Sequence, residues 1–149
     1  MSTLEETKAK IAESQARAED AKRRIAEKVA LQKANAELDE RLHLERFYEA
    51  KEKAIETYGE NRLVEVHVPS VGMTLHRFAH IADHTPFTKS LHVAVEISSC
   101  RTFTAKTVLF PDAATFSALV SERNPEGFVK CALAVKTAMR GVVEEEGKD

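Results

Sequence analysis

The spacing of apolar positions changes character once along the chain. Up to about residue 59 the large apolar residues are sparse and recur at helical intervals. Leu4, Ile11, Ala18 and Ile25 are seven apart. Leu31, Leu38 and Leu42 follow in a different phase, with Asn35 at an a-like heptad position. Leu44, Tyr48, Ile55 and Tyr58 then run in steps of four and three, with Lys51 filling one step. Between these positions stand alanines and acid-to-base pairs at the favoured i, i+4 spacing, such as Glu6–Lys10, Glu13–Arg17, Glu37–Arg41 and Glu49–Lys53. Ser2-x-x-Glu5 and Thr3-x-x-Glu6 are overlapping capping-box patterns, and neither proline nor glycine intervenes before Gly59. The pattern predicts one helix from about Thr3 to Tyr58, with Gly59 in the C′ position.

Such a helix would be roughly 84 Å long. The residues that follow it could build a body with a radius of gyration of only about 12 Å. The rod outreaches the globule, so the expectation is association with a second copy or a partner helix, through Leu31, Leu38, Leu42, Tyr48 and Ile55. A hairpin broken near Lys33–Glu37 and a helix standing alone in water are the competing readings.

Beyond residue 60 the rhythm becomes that of a mixed domain. Leu63–Val68 alternates Val64, Val66 and Val68 against Glu65 and His67, a half-buried strand. Leu91–Ser98 alternates in the same way, and Thr104–Phe110, closed by Pro111, reads as a third strand. Asp112 caps a helix over AATFSALVSER. Asn124-Pro125 opens a last helix whose inward face is Phe128, Cys131, Ala132, Val135 and Met139, and which Gly141 should end. The expected fold is α+β: a long N-terminal helix, open to coiled-coil pairing, then a small antiparallel sheet with helices on one face. The expected division is a helix over 1–59, a domain over 60–143 and an acidic tail over 144–149.

Composition narrows the function. Charged residues make up 31% of the chain but the formal net charge is only −2, so nothing draws it as a whole to nucleic acid or to an anionic membrane. The basic triplet Lys22-Arg23-Arg24 is flanked by acids, which leaves nucleic-acid binding as a third reading. No apolar run approaches the ~18 residues a spanning helix requires. Two cysteines are too few for a disulfide framework, and with a polar N-terminus they point to a cytoplasmic setting. The glycines are scattered singly, so no loop could cradle a phosphate, and no nucleophile-elbow, HExxH or CxxC motif is present. No cofactor is expected.

One stretch raises the question of a metal. LHRFAHIADH places histidines at 76, 80 and 84. Leu75, Phe78, Ala79 and Ala82 fit an amphipathic helix, with the three imidazoles on its opposite face. His76 and His84 would then lie about 12 Å apart along the axis. Zn–N bonds are only about 2.0–2.1 Å, so at most one i, i+4 pair could bind zinc. A third ligand would have to come from His67, Asp83, His92 or Cys100. Simple surface exposure is the favoured reading of the row. A metal-dependent enzyme or metal-binding protein using His76, His80 and His84 is the alternative to the leading expectation, a non-enzymatic self-associating scaffold or adaptor. A Cys100–His92 or Cys100–His67 nucleophile pair is weaker still, because no helix N-terminus follows Cys100 to favour the thiolate.

Overall fold

A computed structural model describes residues 3–80 and 96–146, with side chains described as far as residue 141. The elements are helix α1 (Leu4–Tyr58), a 3-10 turn (Glu60–Arg62), strands β1 (Leu63–Val68) and β2 (Gly72–Arg77), helix α2 (Ile97–Thr107), strand β3 (Val108–Phe110), and helices α3 (Ala113–Arg123) and α4 (Glu126–Glu146). The chain divides into two compact units, Met1–Arg41 and Leu42–Asp149. The division falls inside α1 rather than at Gly59.

In the first unit α1 begins with the predicted capping box. The Thr3 amide donates to Glu6 Oε2 and the Glu6 amide donates to Thr3 Oγ1, each at 3.2 Å. Ion pairs Glu19–Lys22, Asp20–Arg23 and Glu37–Arg41 lie along its surface. No side chain of Thr3–Arg41 is buried. At its far end α1 closes as expected: Gly59 takes φ +83°, and its amide donates to the Ile55 carbonyl at 2.9 Å.

The second unit is built on a three-stranded antiparallel sheet in the order β1-β2-β3. Val64 pairs with His76 and Val66 with Thr74, so these residues share one face. That face meets α2, α3 and α4 over a core of Val66, Val68, Phe103, Phe116, Phe128 and Val135. The opposite face carries Leu63, Met73 and Leu75, which pack with Leu109 and Phe110 against Phe47 and Ala54 of α1. The helices after the sheet thus lie on one face, as expected, and the last turns of α1 cover the other.

The β1–β2 turn has Pro69 and Ser70 at its centre. The Val71 amide donates to the Val68 carbonyl at 3.0 Å, and Ser70 has φ +70°. Gly72 follows at φ +111°, and a Cβ there would meet His43 Nε2 at 2.9 Å. The imidazole of His43 bonds the Met73 carbonyl at 2.8 Å and packs on the Phe110 ring. Lys51 pairs with Glu65, and this contact raises the lysine pKa. These contacts tie the end of α1 to the sheet.

Several expectations are corrected here. Residues 72–77 form a strand, not the start of a helix over 74–84. The central strand is buried on both faces, with Thr74, Leu75 and His76 all inaccessible, and such a strand loses its polar alternation. Residues 97–107 are helical, so Thr104–Thr107 is not strand; only Val108–Phe110 is. The buried positions Cys100, Phe103, Thr104 and Thr107 keep helical spacing, and the Thr104 hydroxyl is turned back onto the Cys100 carbonyl at 2.8 Å. Of the strand expected over Leu91–Ser98, residues 91–95 lie outside the described residues and Ile97 and Ser98 belong to α2. Asp112 does cap α3, accepting from the Thr115 amide and hydroxyl. Asn124 does not cap α4; its amide donates to the Pro69 carbonyl at 3.1 Å. Gly141 does not end α4, since one glycine costs only about 1 kcal/mol relative to alanine. Glu144–Glu146 are helical rather than tail.

Candidate functional site

The predicted association residues are all exposed within the chain: Leu31 by 62%, Leu38 by 54%, Leu42 by 38%, and Tyr48 and Ile55 likewise. Sequence reasoning missed the stripe beside Tyr48 and Ile55. Phe47 is fully buried, with its ring edge-on to Phe110 at 6.0 Å between centroids, and Ala54, seven residues on, is buried with it. The face of α1 turned to the sheet therefore runs through His43, Phe47 and Ala54, and Tyr48 and Ile55 lie beside it. The available signal was the i, i+4, i+7 spacing from Phe47 through Lys51 to Ala54, hidden because Lys51 and the small Ala54 are weak markers of burial.

The histidines are separated by environment. His76 is inaccessible in β2. The Thr74 hydroxyl donates to the Val66 carbonyl at 2.8 Å, so toward His76 it can only accept. His76 Nε2, 3.0 Å away, therefore carries the proton and donates to it. On the other side Nδ1 faces the Thr107 hydroxyl at 3.4 Å. The ring stands edge-on to Phe116, and Cys131 Sγ lies 3.7 Å from Thr74 Oγ1. Burial lowers the His76 pKa to about 4, so the ring is neutral around pH 7. His80 is exposed beyond the end of β2. His84 and the prospective ligands Asp83 and His92 lie outside the described residues. The helical arc that would have aligned the row is not formed, because residues 72–77 are extended. Among the described residues no three His, Cys, Asp or Glu side chains come together in a way that could hold a metal ion.

Neither cysteine has the setting of a nucleophile. Cys100 sits in the first turn of α2, completely buried, and burial together with the nearby Glu126 charge raises its thiol pKa. Burial pushes Cys131 up to about 11. Low-pKa, accessible thiols are the reactive ones, and these are the reverse. A shallow open groove of about 280 Å³ lies between the end of α1 and β3, lined by Ala50, Lys53, Ala54, Thr57, Tyr58 and Leu109. It brings no set of polar groups to a common point. Among the described residues no helix is long and apolar enough to cross a membrane.

No family model matches the chain, and no curated protein or solved structure is detectably similar to it.

Proposed function

We propose that this chain is a non-enzymatic, self-associating interaction protein of the scaffold or adaptor kind, and that its N-terminal helix is the associating element. The observation that supports this reading is the state of residues 3–41. They are helical almost throughout, and none of their side chains is buried. Single helices in water are marginal even with good propensity, and most helical stability in proteins comes from burying an apolar stripe. Here Leu31 and Leu38 sit one heptad apart, and none of the described residues buries them.

Light scattering coupled to size exclusion tests the reading. The expected mass exceeds the 16.6 kDa of one chain. The triple variant L31S/L38S/L42S alters only exposed positions and should return the protein to monomer with its fold intact. A wild-type monomer at tens of micromolar overturns the proposal.

A further inference from the structure

The stripe that contains Leu31, Asn35, Leu38 and Leu42 repeats at alternating steps of three and four and continues in both directions along α1. Toward the N-terminus its next large members are Lys28, Arg24 and Arg17. Toward the C-terminus they are Glu45, Glu49, Glu52 and Glu56. All seven are exposed, and none has an ion-pair partner among the described residues. Within the second unit, the four glutamates stand on the side of α1 turned away from Phe47 and Ala54. The stripe is thus basic at one end, apolar in the middle and acidic at the other.

That order discriminates between orientations. In a parallel, in-register pair every layer faces its own copy. Three basic layers and four acidic layers would then each stack like charges, against the one favourable amide contact of Asn35 with Asn35. In an antiparallel pair centred between residues 36 and 37, Leu31 faces Leu42 and Asn35 faces Leu38. Lys28 then faces Glu45, Arg24 faces Glu49, and Arg17 faces Glu56. Glu52 faces the small Ala21, and every other charged layer becomes an opposite-sign pair. Sliding this pair by one heptad either way sets leucines against Lys28 and Arg24 or against Glu49, so one alignment satisfies both the leucines and the charges.

We propose that the partner of α1 is a second copy of this chain running antiparallel, with residue 31 of one copy facing residue 42 of the other. This deepens the self-association reading and rests on it. The test is disulfide trapping in the full chain. K28C and E45C proteins are mixed, allowed to exchange and oxidised, and the cross-linked peptides are mapped by mass spectrometry. The native Cys100 and Cys131 are buried and stay out of the reaction. The expected product is a 28–45 link formed in the mixture, with each single variant alone giving at least about tenfold less linked dimer. In parallel, K28E should weaken association by about tenfold, and the exchange K28E/E45K should restore it. Self-links at 28 and at 45 without a 28–45 link, in a protein that keeps its dimeric mass, overturn the orientation and leave self-association standing. A monomeric wild-type mass overturns both.

Discussion

α1 offers two regions of one helix for comparison, similar in composition and opposite in burial. Residues 4–41 bury nothing, whereas residues 42–58 bury Phe47 and Ala54 against a sheet. Both stretches are rich in charge and both are helical, the conformation that propensity and i, i+4 pairing favour. They do not set which stripe is interior. That is decided by what stands opposite: Leu75, Met73 and Phe110 for the second stretch, and none of the described residues for Leu31 and Leu38. Within one chain a leucine is thus exposed while a histidine in β2 is buried.

The comparison can be broken or sharpened by substitution, starting with the largest expected effect. F47A empties a fully buried site and should cost about 3–5 kcal/mol in urea titration. A loss below about 1 kcal/mol would mean that the end of α1 contributes little to the second unit. Next is H76L. His76 titrates at about 4 when folded and near ~6.5 when unfolded, so the unfolded chain takes up the proton first as pH falls. The histidine is neutral toward stability above ~6.5 and lowers it progressively from there down to about 4, by about 3 kcal/mol in total. H76L should remove that slope from stability measured across the window; equal slopes in the two proteins would contradict the buried neutral ring. G72A places a Cβ against His43 at a positive φ and should cost about 1–3 kcal/mol. D112A removes the cap of α3 and should lower the melting temperature by a few degrees, with D112N recovering most of the loss. At the far end, L38S should leave the stability of the second unit within about 0.5 kcal/mol of wild type.

What could be read from the residues follows from the same comparison. The capping box at Thr3, the Gly59 terminus, the alternation of β1 and the Asp112 cap are local signals, and each appears in the structure. The failures lie where tertiary context overrides local pattern. β2 is enclosed on both faces, so Leu75 and Phe78 could be matched to a helix while Thr74 and His76 were in fact core. In α2 the β-branched threonines suggested strand, yet Thr104 satisfies its hydroxyl on the preceding turn and is tolerated in a helix. The histidine row dissolved for the same reason, since a reading that made its spacing meaningful needed a helix that does not form. The charge order of the α1 stripe was visible in the residues from the start. It acquires meaning only once the residues that carry it are seen to be helical and exposed.

Phe47 finds Phe110 only after about sixty further residues have been joined to the chain. At ordinary synthesis rates of ~5–20 residues per second, that is an interval of roughly 3–12 s. Until its end the sheet that shelters this inward aromatic is incomplete, with β1 and β2 made and β3 still to come. The last turns of α1 therefore stay incompletely covered in the newborn chain until Phe110 has been made.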